Sequence, residues 1–355
     1  MGTKSLCCLE STFRRTKMIS SIMVQLGRPF TPAMSLLQNM LVLFTLSRQL
    51  HTSQAARLPD RQLPPRPTKH QRTLAERLPE DTWDSHMHVI DPARFPLSPD
   101  AAYVPQRHDL FDAVSFESSV SMKNIVMVQP SIYATDNSAL LDGLKGLGPG
   151  RSRGVVQFDL PTNNSKLQAW HALGVRGVRL NVQSTGAAVN VTEFAALMRQ
   201  YVVAIKPFGW VLQAYIPMYL LDPLAPTIRE LGVDFVVDHF GQPAQPLNTT
   251  MSTIDPYTIQ GFGSLISLLE GGNTWVKFSA PYRVNLTADW LDAVAKEVLN
   301  VRSDRVVFAT DWPHTRFEGL DIRPFIERCL DWAEEANCVE EVFSTNAKSL
   351  WRVEE

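Results

Sequence analysis

The segment "TWDSHMHVIDPARFP", residues 82–96, sets two histidines one residue apart, with an aspartate two residues before the first. Side chains alternate faces along a strand, so His86 and His88 point one way and Met87 the other. By the same alternation Asp84 is expected on the histidine face. Three titratable groups on one side of a short segment make a poor core surface. They make a serviceable active-site wall, able to take and give protons. A solvated strand edge explains an isolated His-x-His equally well, so the other polar positions have to decide.

Those positions depend on the elements that carry them. From Thr82 onward, short apolar runs alternate with amphipathic stretches. The candidate strands are "TWDSHMHV" (82–89), "NIVMVQPS" (124–131), "RGVVQFD" (153–159) and "VRGVRLNV" (175–182). They continue with "GWVLQAYI" (209–216), "VDFVVDHFG" (233–241), "TWVKFSAPY" (274–282) and "DRVVFATDW" (304–312). Most are nearly continuous apolar runs, as parallel strands buried on both faces require. Helical patterns fill the gaps. "DNSALLDGLKGLG" opens on an Asp/Asn cap and ends on glycine, and "NNSKLQAWHALG" also ends on one. "VTEFAALMRQYVVAIKPFG" stops near Pro207, and "TADWLDAVAKEVLNV" opens on Thr287. Eight βα units predict an α/β fold, a single (β/α)8 TIM barrel. A doubly wound open sheet would call for a Gly-rich phosphate loop after an early strand, and none is present.

Function in such a barrel sits at the carboxyl ends of the strands. Strand 1 ends in His86 and His88, strand 4 carries Arg179, and strand 5 ends near Tyr215. Strand 6 ends in Asp238 and His239, strand 7 leads into Arg283, and strand 8 runs into Asp311, His314 and Arg316. Each alone has a bland structural explanation. Polar groups at six of eight ends, reached through apolar runs, form a candidate site.

Taken in order, "DSHMHVIDPARFP", "VVDHFGQP", "VKFSAPYR" and "ATDWPH" resemble the amidohydrolase superfamily. The likeness is to the branch of pyrone-dicarboxylate, sugar and muconate lactonases, and "FSTNAKSLW" resembles that branch's C-terminal helix. It covers residues 82–351. The resemblance implies that His86, His88, His239 and Asp311 form the catalytic group. It implies that Tyr103, Arg179, Tyr215 and Arg283 contact substrate. The expected activity is hydrolysis of a cyclic carboxylic ester, with Asp311 as base toward water and the histidines polarising the carbonyl. In the ring-forming direction a protonated Asp311 would be the acid. The arginines would hold substrate carboxylates through charge-assisted bonds.

The broader superfamily often binds zinc through His-x-His, a histidine after strand 5 and an aspartate after strand 8. Here strand 5 ends in Tyr215, and strand 4 offers Arg179 with no Lys or Glu to bridge two metals. Removing one imidazole and placing a guanidinium nearby disfavours a divalent cation. No cofactor is therefore expected; a bound zinc would fall to His86, His88 and Asp311. Lactonases of this branch also carry a second arginine six residues after the strand-4 one, where this chain has Thr185. Arg316 stands where they have a small polar residue, and it is a further candidate for the substrate carboxylates. The expected partner is thus a small anionic lactone or carboxylate, not one fixed dicarboxylate. Alternatives are a zinc-dependent decarboxylase or hydrolase of the same superfamily, and a non-catalytic anion-binding barrel.

Composition bounds the rest. The 355 residues carry 34 basic and 36 acidic side chains, a near balance that gives no reason to expect nucleic acid. Residues 1–59 hold seven Lys/Arg and one acid, Glu10, ahead of an acidic body. With "RQLHTS" resembling a processing site, residues 1–59 read as a mitochondrial transit peptide, 60–80 as a linker and 81–355 as the barrel. The apolar run Met34–Leu46 is too short to span a bilayer. Four sequons, at Asn163, Asn190, Asn248 and Asn285, favour secretion as the alternative. Only Cys329 and Cys338 lie in the body, which provides no disulfide framework.

Overall fold

Runs of Val, Ile and Phe with few polar interruptions can be buried on both faces only if helices cover one side and the sheet closes over the other. That is the arrangement in the computed structural model, which describes residues 72–183, 189–246 and 254–353. The expected leader, the linker up to residue 71, and Thr185 lie outside the described residues. The strands are β1 (Trp83–Met87), β2 (Asn124–Val128), β3 (Ser152–Val156), β4 (Val175–Asn181), β5 (Val211–Tyr215), β6 (Phe235–Val237), β7 (Thr274–Phe278) and β8 (Val306–Phe308). They lie in chain order, each parallel to the next. The ring closes beyond the end of β8. His88 N donates to Trp312 O and Asp311 N to His86 O, both at 2.8 Å. Each of the eight apolar segments read from the sequence holds one strand, and the fold is a (β/α)8 barrel.

The covering helices are α1 (Leu110–Ser119), α2 (Ser138–Leu147), α3 (Asn164–Ala172), α4 (Val191–Ile205), α5 (Leu221–Glu230), α6 (Phe262–Glu270), α7 (Ala288–Arg302) and α8 (Arg323–Glu335). None among the described residues is long and apolar enough to cross a membrane. Their starts follow local chemistry. Asp109 and Asp112 form a reciprocal capping box on α1. The Asn190 side chain accepts from Thr192 N and Glu193 N, and Asn163 accepts from Ser165 N. Two of the four sequon asparagines are therefore helix caps, a structural reason for Asn-x-Ser/Thr at those places. Thr287 stands at the cap of α7 but makes no side-chain cap bond.

Alternation along the strands sorts two apolar layers. Trp83, Val126, Val128, Val155, Val211, Val236 and Val307 fill the barrel interior. Ile125, Met127, Val156, Val178, Leu212 and Val237 pack outward against the helices. Trp351, from the closing segment, seals the interior from the amino-terminal end, its indole donating to Ser85 Oγ at 3.1 Å.

β1 breaks the alternation. Its register with β2 shifts between Asp84 and Met87. A bulge adds one residue to a face, so Ser85 and His86 both turn inward and Asp84 does not share the histidine face. Asp84 instead accepts from His86 N at 2.9 Å and from Thr310 N at 3.0 Å, tying β1 to the end of β8. Burial raises the Asp84 carboxyl, and burial with Asp84 beside it raises Glu117 of α1 well above the ordinary range. Two carboxyls cannot both ionise there, so Glu117 stays protonated.

Candidate active site

Asp311 follows β8 at φ 61°, a left-handed conformation that costs a non-glycine residue free energy and is common where a side chain must be aimed. His239, after β6, has φ 52°. The two carboxylate oxygens of Asp311 face different neighbours. Oδ2 accepts from Tyr282 Oη at 2.8 Å and Arg283 Nε at 2.5 Å. Oδ1 faces three imidazoles, with Nε2 of His88 at 3.5 Å, of His86 at 3.6 Å and of His239 at 4.0 Å. Burial alone would raise this carboxyl. Arg283, followed by His239, holds it well below the usual carboxylate range, so Asp311 is ionised at neutral pH.

The far nitrogen of each ring decides what the near one can do. His88 Nδ1 lies 2.7 Å from the Val128 carbonyl oxygen, which can only accept. A proton is therefore on Nδ1, so the ring in its neutral form presents its lone pair at Nε2. His86 Nδ1 faces Asp238 Oδ1 at 3.2 Å, with the same consequence. His239 Nδ1 lies 2.8 Å from Ser279 Oγ, a hydroxyl that can donate or accept. Its Nε2 is free to be either donor or acceptor. Burial keeps His86 well below its ordinary value and pushes His239 down to about 4, so both rings are neutral at pH 7.

Beneath the rings lies a charged layer buried in the barrel. Asp238 Oδ2 accepts from Arg179 Nε at 2.9 Å and Oδ1 from Gln213 Nε2 at 2.8 Å. Lys277, wholly buried, donates to Gln213 Oε1 at 2.7 Å and stands 3.6 Å from Asp238. Burial would raise Asp238, but Arg179, His86 and Lys277 together hold it well below the carboxylate range. Burial pushes Lys277 down to about 8.

Above the layer a cavity of about 330 Å³ opens at the carboxyl ends of the strands. Of the nine candidate residues, eight line it: His88, Tyr103, Arg179, Tyr215, His239, Arg283, Asp311 and Arg316. His86 is not among the lining residues; it is fully buried, with Nε2 3.6 Å from Asp311 Oδ1. Arg179 is buried, with its guanidinium 5.3 Å from the Tyr215 ring centroid, and its terminal nitrogens make no bond among the described residues. Arg283 spends Nε on Asp311 and Nη2 on the Thr315 carbonyl, which leaves Nη1 for a ligand. Arg316 lies over the Tyr103 ring at 4.3 Å, and Tyr103 Oη donates to Thr315 Oγ1 at 2.9 Å. His314 is turned away from the cavity, edge-on to Phe116 and Tyr282.

Sequence reasoning did not single out Tyr282, Gln213 or Lys277. A lysine inside the apolar run "TWVKFS" was the available signal for the buried layer. Nothing in "APYR" ranks Tyr282 above any other loop tyrosine.

The donor chemistry for a divalent cation is present in His86, His88 and Asp311, whose ligand atoms lie within 4.8 Å of one another. The fixed Nε2 lone pairs of His86 and His88, each backed by an acceptor at Nδ1, fit such an ion. His86, Asp238 and His239 form a second set by distance. There Asp238 is already committed to Arg179, Gln213 and His86.

The family model described as Amidohydrolase matches residues 83–353. A 2-pyrone-4,6-dicarboxylate hydrolase from Comamonas testosteroni is 30% identical over 250 residues, covering 67% of this chain and 78% of the relative. A 4-sulfomuconolactone hydrolase from Hydrogenophaga intermedia is 25% identical over 262 residues, covering 73% and 83%. A solved structure of a candidate 2-pyrone-4,6-dicarboxylic acid hydrolase from Pseudomonas putida superposes with a TM-score of 0.63 at 27% identity. It covers 78% of this chain and 100% of the other.

Proposed function

This chain belongs to the amidohydrolase family, and from that membership and the geometry of its site we propose that it is a hydrolase that opens a carboxylated lactone. The observation that carries this reading is the position of Asp311. Its Oδ1 faces three imidazole Nε2 atoms at the base of a cavity that Arg179, Arg283 and Arg316 also line.

The geometry divides the labour. A water has two protons to give, and Asp311 Oδ1 with the Nε2 lone pairs of His86 and His88 are acceptors in reach of one point. Asp311 takes one proton as the water oxygen bonds to the lactone carbonyl carbon. His239, with Ser279 donating to its Nδ1, carries its proton on Nε2 and donates to the developing oxyanion. Collapse breaks the ring C–O bond, and the proton held by Asp311 passes to the departing ring oxygen. Tyr282 and Arg283 fix Oδ2, so the free oxygen is already aimed. The terminal nitrogens of Arg179 and Nη1 of Arg283 hold substrate carboxylates. Purified protein should open one or more members of a panel of mono- and dicarboxylated lactones, followed by titration of the acid released. No turnover on any of them would reject the reading.

This chemistry needs no cofactor. A zinc-dependent hydrolase is the second reading, favoured by the convergent Nε2 lone pairs of His86 and His88 beside Asp311. A bound cation there would supply Lewis acidity and acidify a water. Elemental analysis and assays after exhaustive chelation separate the two. Retained activity in metal-free protein supports the first, and stoichiometric zinc with lost activity supports the second. The acid-poor leader supports a mitochondrial location, with secretion as the alternative. Imaging the full chain against one lacking residues 1–59 tests that assignment, and a secreted full chain would refute it.

A further inference from the structure

The catalytic cavity has a neighbour on the same face of the barrel. Residues that follow β4, β5, β6 and β7 line a second cavity of about 540 Å³, and Gln183 and Gln242 line both cavities. The two cavities differ in chemistry. The first has arginines, histidines and an aspartate; the second has no charged side chain among its described lining residues. Pro217 and Pro243 give it stiff walls, and Met218 and Tyr219 give it apolar faces. Gln183, Gln242, Gln260 and Asn285 bring amide groups.

Gln242 stands where the cavities meet. Its Nε2 donates to the Arg283 carbonyl at 2.8 Å, which fixes which end of the amide is oxygen. Its Oε1 is buried and has no hydrogen-bond partner among the described residues. A buried acceptor left unpaired is costly in a folded protein and marks a place where a donor is missing. Gln242 itself has φ 52°, so the chain holds this side chain in place from a strained backbone.

On the lactonase reading above, we propose that the second cavity is a substrate subsite, and that the substrate is an anionic lactone bearing a neutral, hydroxylated extension. The lactone ring and its carboxylates occupy the charged cavity, and the extension crosses Gln242 into the uncharged one. A charged extension would find no counter-ion among the described residues there. A purely apolar one would leave the Gln242 oxygen unpaired. Hydroxyl groups both donate and accept, as amides do, so a polyol or glycosyl group matches the side chains present. Its C–H faces would pack on the proline, methionine and tyrosine surfaces.

The test uses one carboxylated lactone, with and without a neutral glycosyl substituent, and the matching ring-opened acids as ligands. Wild-type protein is compared with Ala244→Trp, which fills the second cavity from a residue absent from the first, and with Gln260→Leu, which removes an amide without filling space. In the wild type the extended lactone should have kcat/KM at least about tenfold higher, and its ring-opened acid should bind correspondingly tighter. Ala244→Trp should erase both advantages and leave the unextended compounds unchanged; Gln260→Leu should reduce them. Equal kcat/KM and equal affinity for the two compounds in the wild type would overturn the proposal, as would a loss in Ala244→Trp that is the same for both. If neither lactone turns over but the extended acid still binds tighter and Ala244→Trp abolishes that gain, the subsite stands and the lactonase reading falls.

Discussion

As the proposed base, Asp311 meets two demands that usually oppose each other. A general base is most effective when its pKa is near the working pH, yet Arg283 beside it holds this carboxyl well below that range. The site gives up base strength for a carboxylate that is always ionised and always aimed. Asp311→Asn keeps the shape and removes the proton acceptor, so turnover should fall at least about a hundredfold with the fold intact by circular dichroism. Near-normal turnover would remove Asp311 from the mechanism. Tyr282→Phe removes one of the two donors on Oδ2 and should lower kcat about fivefold to tenfold with KM little changed, the mark of lost aim and not lost binding. His239 gives a check on protonation. Burial puts its pKa at about 4, so its neutral form, the one the mechanism uses, persists through neutral pH and is lost only as pH falls through about 4. An NMR titration of the imidazole carbons, with the His239 signal assigned by its loss in His239→Gln, should find the inflection there. An inflection near 6.5 would contradict the buried, neutral ring.

At the scale of elements, the loops after β1 and β8 are joined over the cavity by two contacts, Arg316 on the Tyr103 ring and Tyr103 to Thr315. Arg179, by contrast, is rooted in β4 and almost fully buried. The two arginines should differ in weight. Arg179→Ala leaves a desolvated substrate carboxylate unpaired, a loss of about 2–5 kcal/mol in transition-state binding. Exposed Arg316 works in water and is worth only about 1 kcal/mol, roughly fivefold in kcat/KM. Both losses should be larger on the anionic lactone than on its methyl ester; equal losses on acid and ester would mean the arginines do not read the carboxylate. Elements were also where sequence reading met its limit. Each strand was legible because burial on both faces leaves a run such as "NIVMV" with no polar gap. The bulge in β1 was not, because it adds no unusual residue to "WDSHM" and shows only in the pairing with β2. Strict alternation therefore put Asp84 beside the histidines it in fact supports from behind.

For the whole molecule, the barrel interior carries a cost in buried charge. Lys277 lies in the core with its ammonium against Asp238 and the Trp351 ring. Its folded pKa, about 8, is below the 10.5 of a free lysine. The charged form thus opposes folding at neutral pH, and the penalty fades as pH rises through 8 toward 10.5. The unfolding free energy of the wild type should gain roughly 3 kcal/mol on Lys277→Met between pH 7 and 10.5. A constant difference across that range would show that the lysine is not buried as a cation. The candidate site was legible from strand ends because a barrel forces those residues together. Asp238 was read at the end of strand 6, but the buried layer it forms with Gln213 and Lys277 was not, since single polar residues inside strands do not announce which neighbours will meet them. The proposed function rests on an anionic lactone being opened in the arginine-lined cavity. The most direct measurement is kcat/KM for a carboxylated lactone and for its neutral methyl ester in the wild-type enzyme. The acid should be opened at least about a hundredfold faster, as loss of a desolvated charge pair implies; an ester opened as readily as the acid, or no ring opening of either, would contradict the proposed function.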